Sequence, residues 1–153
     1  MAYKVFISYS TKDINTVNRI KSMLQHSSIE VFVAEYSVNP GEPLPEKIIQ
    51  AIKNCNLFIL LWSSNSKESD WVPQEIGIAK SSDKAMLPVV LEPHLALPGF
   101  ISNLKYLNAY QEPERSIEWL QINVFKKAEE KTKKDGLVWL GLGAAVLWLS
   151  SRS

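Results

Sequence analysis

The chain alternates between short unbroken apolar runs and longer segments in which apolar residues recur at steps of three or four. The clearest run, residues 56–62, reads NLFILLW, has no polar alternation and is too short for a typical helix. A strand that is covered on both faces of a parallel sheet has this composition, so the pattern predicts the central strand here. Residues 63–68 are polar or charged, which predicts a loop at the carboxyl end of that strand.

A helix is predicted directly after this loop. Ser69 or Asp70 can cap its first turn, and Pro73 falls in that turn, where a missing N–H is tolerated because those donors have no intrahelical partner. Its inward side consists of two neighbouring stripes, Val72, Ile76 and Ala79 on one and Trp71, Glu75 and Ile78 on the other. The pattern therefore predicts a carboxylate at the edge of a buried face, one turn after a tryptophan.

Two interpretations of Glu75 follow from this position. Ligands of α/β sheets bind outside the carboxyl ends of the strands, and a helix that enters from such an end carries its first turns past that crevice. Glu75 would then meet a ligand. In the alternative, Trp71 is an ordinary core residue and Glu75 is a solvated first-turn acid that the helix dipole stabilises. The spacing by itself favours the alternative.

Further strands are predicted at residues 4–9, 30–34, 85–91 and, more weakly, 104–108. Pro88 argues against a fully hydrogen-bonded central strand at its own position. Amphipathic helices are predicted between the strands, after Asp13, from Pro45 and Glu46, and from near Pro113. The strand and helix pattern repeats five times, which predicts a three-layer α/β fold with a five-stranded parallel sheet and right-handed crossovers.

Two segments at the predicted strand ends are candidates for ligand contact. Ser8, Tyr9, Ser10 and Thr11 end the first strand and would face the crevice. Residues 35–44 form a long loop, because their prolines and glycine stop both helix and strand. A loop of this length between compact elements is more often functional than idle.

Composition narrows the function classes. The 153 residues suffice for one domain with one core, and 17 basic against 16 acidic side chains give no reason to expect nucleic acid as a partner. The single Cys55 cannot form an internal bridge, which favours a small buried hydrophobe in a reducing, cytoplasmic setting over a reactive thiol. We expect no secretory signal, and no metal site, because His26 and His94 lie far apart and no cluster has ligand spacing.

The two common glycine-rich motifs of nucleotide-binding proteins are absent from the sequence. No G-x-G-x-x-G or G-x-x-x-x-G-K-S/T follows a predicted strand, which argues against a dinucleotide fold of that type and against a P-loop. A phosphoacceptor receiver domain would need clustered acids after the first strand, where this chain has Ser8 and Ser10.

Three ordered motifs carry a family resemblance over about residues 3 to 125. They are VFISYS at residues 5–10 with Asp13, VFVA at residues 31–34 with a following loop that ends in Asn39-Pro40-Gly41, and DWVPQEI at residues 70–76. The chain resembles the Toll/interleukin-1 receptor (TIR) domain in its prokaryotic form, whose W-x-x-x-E motif the third segment matches. The resemblance implies a five-stranded parallel sheet of flavodoxin-like strand order.

The resemblance also implies an activity. Many family members cleave NAD+ at the nicotinamide–ribose bond with the glutamate of that motif, which would make Glu75 catalytic and NAD+ a substrate, with no resident cofactor. The residues that would then contact substrate are Ser8, Tyr9, Ser10, Thr11, Glu35, Trp62 and Trp71. Many relatives have an aspartate where this chain has Ala34, and Glu35 stands one residue later.

A single carboxylate is chemically sufficient for this cleavage. Ordinary glycoside hydrolysis uses two carboxyl groups, one of which protonates the leaving oxygen. Nicotinamide is already cationic in NAD+ and departs neutral, so no general acid is required. A carboxylate near the ribose hydroxyls can hold the sugar and stabilise the positive charge of the transition state.

In the family, the loop after the second strand often completes the site of a neighbouring subunit. Here that loop would contribute Tyr36, Asn39, Pro40 and Gly41 to self-association or to binding of other TIR domains. The leading hypothesis is a TIR NAD+ glycohydrolase or cyclase that acts in signalling or defence and is activated by self-association. The alternative is a non-catalytic adaptor that binds other TIR domains through this loop.

The end of the chain has a different composition. After the domain at residues 1–125 and a charged linker or helix end at 126–136, residues 137–149 read LVWLGLGAAVLWL and contain no polar side chain. A bilayer span usually takes about 20 residues, so this stretch is short. A helix that is apolar on every side must be buried in protein or in lipid, and Trp139 and Trp148 suit a membrane interface. The pattern favours a short tail anchor, residues 137–150, over a helix docked on the domain or a partner.

Overall fold

The computed structural model describes residues 2–34 and 41–152, with the side chains of the last helix described as far as residue 134. Five strands form one parallel sheet in the order β2-β1-β3-β4-β5. The strands are β1 Tyr3–Ser8, β2 Ile29–Val33, β3 Leu57–Trp62, β4 Met86–Val90 and β5 Leu107–Asn108. The predicted five-stranded parallel sheet of flavodoxin-like order is confirmed.

Five helices accompany the sheet, together with short 3₁₀ turns at Thr11–Asp13 and Gly99–Ile101. The helices are α1 Ile14–Met23, α2 Glu46–Asn54, α3 Ser64–Lys67, α4 Val72–Ser81 and α5 Pro113–Arg152. The predicted loop at residues 63–68 was wrong, since it contains α3. The Ser63 side chain accepts the Ser66 N–H while the Ser66 side chain accepts the Ser63 N–H, and this reciprocal cap stabilises a single turn of helix.

The sheet is covered on both faces, which explains the unbroken apolar run of β3. Ile59 and Leu61 point to one face and Phe58, Leu60 and Trp62 to the other. The first face packs on α1 and α5 through Val17, Ile20, Leu24, Ile117, Leu120 and Val124. The second packs on α2 and α4 through Ile48, Ile52, Val72, Ile76 and Ala79.

The order of the strands positions a crevice at the centre of the sheet. From β1 the chain crosses to β2 on one side, and it later returns to β3 on the other side, so the carboxyl ends of β1 and β3 flank the point where the direction of winding reverses. Ser8 of β1 is in register with Leu60 of β3 there. On the second face, the Phe6 ring stacks on Phe32 and Phe58, with centroid separations of 5.4 and 5.5 Å.

The sheet is weakest at its β5 edge. The strand predicted at residues 104–108 is reduced to Leu107–Asn108, which pairs only with Val89 and Val90 of β4. Pro88 does lie inside β4, opposite Leu60 of β3, at a position that β5 does not reach. Its missing N–H is therefore tolerated, because β4 lacks a second described partner at that point.

Helix α5 continues without interruption through the charged segment 126–136 that was predicted as a linker or helix end. Within the described part of the chain, no helix is both long and apolar enough to cross a bilayer. The side chains of residues 137–150, on which the predicted anchor rests, lie outside the described residues, and the anchor has no support from the structure.

Candidate active site

Glu75 lies in the first turns of α4 and is fully buried, with 0% of its surface exposed. The Ser8 hydroxyl, at the carboxyl end of β1, donates a hydrogen bond of 2.7 Å to Glu75 Oε1. Ser8 is equally buried. The interpretation of Glu75 as a solvated first-turn acid is therefore wrong.

Burial of this carboxylate is costly unless hydrogen bonds compensate it. Its helix neighbours Val72, Ile76 and Ala79 belong to the apolar core of the second face, and an apolar side chain at position 75 would extend that core. A carboxylate retained among them, bonded to a serine at the carboxyl edge of a parallel sheet, is a candidate for function.

A cleft of about 320 Å³ opens beside this pair, at the lower end of the range for small-molecule sites. Its walls come from the turn after β1 and from α3 with the segment that joins it to α4. The first contributes Tyr9, Ser10, Thr11 and Lys12, and the second contributes Asn65, Glu68, Ser69, Asp70 and Trp71. Hollows of about 330 and 420 Å³ also lie around His26, next to the amino end of β2 and away from the edge where ligands of such sheets bind.

Glu75 and the cleft are adjacent but separate. Ser8 precedes the lining residue Tyr9, and Trp71 lies one helical turn before Glu75, whose N–H donates to the Trp71 carbonyl at 3.0 Å. Among the described residues that line the cleft, Glu75 is not included. The half-buried Trp71 therefore borders the cleft one turn before the buried acid.

Local hydrogen bonds position both walls. Ser10 caps the 3₁₀ turn after β1, since its side chain accepts the Lys12 N–H. On the other wall, Ser69 Oγ accepts the N–H groups of Trp71 and Val72 at 3.1 and 3.3 Å. The N-cap residue of α4 is Trp71, which makes no side-chain cap bond, and of the two predicted caps Ser69 is the one whose side chain holds the backbone at the start of the helix.

Five of the seven predicted substrate contacts lie at the cleft or beside Glu75. The structure brings Ser10, Thr11 and Trp71 to the cleft and Ser8 to Glu75. Tyr9 also touches the cleft, but it is 4% exposed and its hydroxyl donates to the Ala34 carbonyl at 2.6 Å.

Trp62 is not brought to the cleft. It is 3% exposed, packs in the core and donates its indole N–H to the Ala96 carbonyl at 3.0 Å. Glu35, Tyr36, Asn39 and Pro40 lie outside the described residues. Gly41, which is described, has a φ of +89°, a conformation that favours glycine.

Several cleft residues were missed by the sequence analysis. Lys12, Asn65 and Glu68 line the walls, and Asp13 accepts a hydrogen bond of 2.6 Å from the Ser63 hydroxyl beside them. The capping pattern S-x-x-S at residues 63–66, a weaker form of the usual capping box, was the available signal for the second wall, and Asp13 had been noted only as part of the first family motif.

Cys55 lies away from the cleft, directly before β3 at the amino edge of the sheet. Burial raises the pKa of its thiol, while Lys84 acts in the opposite direction. The raised pKa keeps the thiol protonated, which supports the prediction of a buried structural cysteine.

Comparisons with known proteins match this architecture. The family model described as "TIR domain" matches residues 5–121. Toll-like receptor 1 of Homo sapiens is 27% identical over 154 residues, which cover 95% of this chain and 18% of the receptor. This chain is thus similar to a small part of that protein.

Two further relatives come from a plant and a lower metazoan. The "Probable 2' cyclic ADP-D-ribose synthase BdTIR" of Brachypodium distachyon is 29% identical over 89 residues, 57% of this chain and 40% of that protein. The crystal structure of the TIR domain of the Toll-related receptor TRR-2 from Hydra magnipapillata aligns with a TM-score of 0.65 and 25% identity, covering 84% of this chain and 99% of that one.

The family match extends over most of the chain and over all of the elements that build the cleft, from β1 to the first turns of α5. The protein belongs to the TIR domain family.

Proposed function

We propose that this TIR domain cleaves NAD+ at the nicotinamide–ribose bond, with Glu75 as its catalytic residue. The observation that carries the proposal is the buried Glu75 carboxylate, bonded to Ser8 at the carboxyl edge of the sheet and one turn beyond a cleft-lining tryptophan. Similarity to a plant protein named as a probable cyclic ADP-ribose synthase adds support. NAD+ enters as a substrate, and the products are nicotinamide and either ADP-ribose or a cyclised form that acts as a signal in defence.

The chemistry follows from the charges. When the C1′–N bond breaks, its electron pair moves to the pyridinium nitrogen and nicotinamide leaves neutral. Positive charge then develops on the ribose, where a carboxylate stabilises it strongly because the surroundings exclude water. Glu75 would exchange its hydrogen bond from Ser8 for hydrogen bonds from the ribose hydroxyls, and water or another part of the nucleotide would form the new bond to C1′.

The remaining cleft residues would hold the substrate. Trp71 offers a flat apolar surface for nicotinamide or ribose. Ser10 and Thr11 offer hydroxyl groups on the opposite wall. Glu35, one residue after the position of the family aspartate, is proposed as a further substrate contact.

We infer that self-association activates the domain. Glu75 is fully buried in the single chain and is not among the described residues that line the cleft, so an activating step would be needed to expose the acid to substrate. Packing of a neighbouring TIR domain against the loop at residues 35–44 would supply such a step. The burial supports an enzyme whose resting state is closed.

The same burial favours a second candidate function, a non-catalytic adaptor that binds other TIR domains. In that case Glu75 is a structural residue that stabilises the Ser8 end of β1. The match to Toll-like receptor 1 over 95% of this chain fits both functions.

Nicotinamide release by the full chain distinguishes the two functions. The protein would be assayed over a range of concentrations and in a crowding agent, beside the Glu75→Gln variant, which keeps the volume and the acceptor for Ser8 but removes the charge. Glu118→Gln, on the exposed side of α5, is the matched control for the loss of one charge. We expect activity in the native and control proteins and a loss of at least about 100-fold in Glu75→Gln.

An inert native protein in every assembled state, or equal activity in Glu75→Gln, would leave the adaptor as the remaining function. Chromatography of the reaction products would separate ADP-ribose from a cyclised nucleotide.

A further inference from the structure

The two walls of the cleft are linked through the pair Asp13 and Ser63. Asp13 ends the 3₁₀ turn that forms the first wall, and Ser63 immediately precedes α3, which begins the second. The Ser63 hydroxyl donates to Asp13 Oδ2 at 2.6 Å, across a sequence separation of 50 residues. Ser63 is 2% exposed and Asp13 is half-buried, so this bond is partly shielded from water.

The direction of this hydrogen bond follows from counting protons. Ser66 Oγ donates to the Leu61 carbonyl at 2.5 Å, which uses its one proton. The backbone N–H groups of Ser63 and Ser66 each donate to the other residue's hydroxyl oxygen at 3.2 Å. The Ser63 hydroxyl proton is then available for Asp13, whose carboxylate accepts at the end of the chain of bonds. A charged acceptor strengthens such a chain in a buried setting.

The order of residues after Ser63 extends the effect of this bond to the cleft. Helix α3 starts at the next residue, Asn65 and Glu68 line the cleft, and Ser69 accepts the backbone N–H of Trp71 just before α4. A displacement of Ser63 would therefore shift the whole second wall. Because the segment is short, little of the displacement could be absorbed before Trp71.

A second carboxylate also holds the start of α3. Glu92, after β4, accepts the Ser64 N–H at 2.6 Å and the Ser64 hydroxyl at 3.0 Å. The start of α3 is thus held by Asp13 through Ser63 and by Glu92 through Ser64. Loss of the Asp13 contact would leave α3 held by Glu92 and by the Ser66 bond to β3, with no described side-chain bond to the first wall, which predicts a wider cleft in a protein that remains folded.

We propose that Asp13 is a positioning residue of the cleft. It acts through Ser63 to hold the second wall, which includes Trp71, at a fixed distance from the first wall, which includes Ser10. This inference rests on the proposed NAD+ cleavage for its kinetic test. Asp13 does not contact the reacting bond, so it affects how tightly the cleft holds the substrate and has a small effect on the bond-breaking step.

The kinetic test compares Asp13→Ala, Asp13→Asn and Ser63→Cys in the full chain, with Glu118→Ala as the matched loss of an exposed carboxylate. Asp13→Ala should raise KM about tenfold, the effect of one hydrogen bond to a charged group, with kcat within about threefold of native. Asp13→Asn keeps an acceptor for the Ser63 hydroxyl, so its KM should lie close to the native value. Ser63→Cys, of similar size but a weak donor, should resemble Asp13→Ala.

The two proposals can fail separately. If the native protein is active and Asp13→Ala has native KM and kcat, or lowers kcat alone, the positioning function is wrong while NAD+ cleavage stands. If the native protein is inert, amide hydrogen exchange tests the positioning function of Asp13 without an activity assay. The Ser66, Lys67 and Glu68 amides should then exchange faster in Asp13→Ala than in Glu118→Ala, and equal rates would overturn the inference.

Discussion

The side chains of Ser8 and Glu75 are both completely buried, with 0% exposure. The Ser8 hydroxyl oxygen lies 2.7 Å from Glu75 Oε1 and donates a hydrogen bond to it. Removal of the Ser8 hydroxyl takes a donor from a buried charge, whose desolvation is then less compensated. We expect Ser8→Ala to lower the free energy of unfolding by about 1–3 kcal/mol, measured by urea denaturation. Ser22→Ala, on α1, is a suitable serine control, and equal stability of the two variants would contradict the importance of this bond.

Cys55 provides a second test on the scale of a residue. Its thiol is buried, and burial raises its pKa, so the folded protein favours the protonated form more than the unfolded chain does. The resulting stability is present below the unfolded pKa of the thiol and is lost as pH rises through the higher folded pKa. Alkylation of Cys55 at pH 8 should therefore be slow in the native protein and fast in denaturant. Rapid alkylation of the folded protein would contradict its burial.

Helix α4 shows how an element aims a functional side chain. Ser69 Oγ accepts the N–H groups of Trp71 and Val72 and so holds the backbone where the helix starts, at the cleft tryptophan. Ser69→Ala should cost about 1 kcal/mol of stability, measured by urea denaturation. Ser81→Ala, at the other end of α4, where the hydroxyl bonds the Ile78 carbonyl, serves as the control. A larger loss in Ser81→Ala would refute the assignment of the cap.

The elements also show which local patterns were sufficient for prediction. Helix α1 and strand β3 were predicted because each carries enough apolar residues in a regular period to specify its type. Helix α3 and the two-residue β5 were missed or misjudged, because elements of this size have almost no internal pattern. Helix α3 depends on contacts from Asp13 and Glu92, which lie far away in the sequence.

For the whole molecule, the complete burial of Glu75 in the single chain predicts that activity depends on assembly. If neighbouring TIR domains must open the site, nicotinamide release per mole of protein should rise with protein concentration and with crowding. Light scattering on the same samples would show whether the rise accompanies larger particles. Constant specific activity from dilute monomer to concentrated protein would contradict activation by self-association and would imply that Glu75 becomes accessible within a single chain.

The sequence by itself determined the strand count, the two-sided cover of the sheet, the helix that carries Glu75 and the motifs of the TIR family. These features depend on residue types at short and regular spacing, since burial of a strand or helix face imposes a local period. Tertiary structure decided whether Glu75 meets water or Ser8, whether Trp62 lines a site or fills the core, and which acid holds Ser63. Those outcomes involve partners separated by 67, 34 and 50 residues, which only the folded sheet brings together.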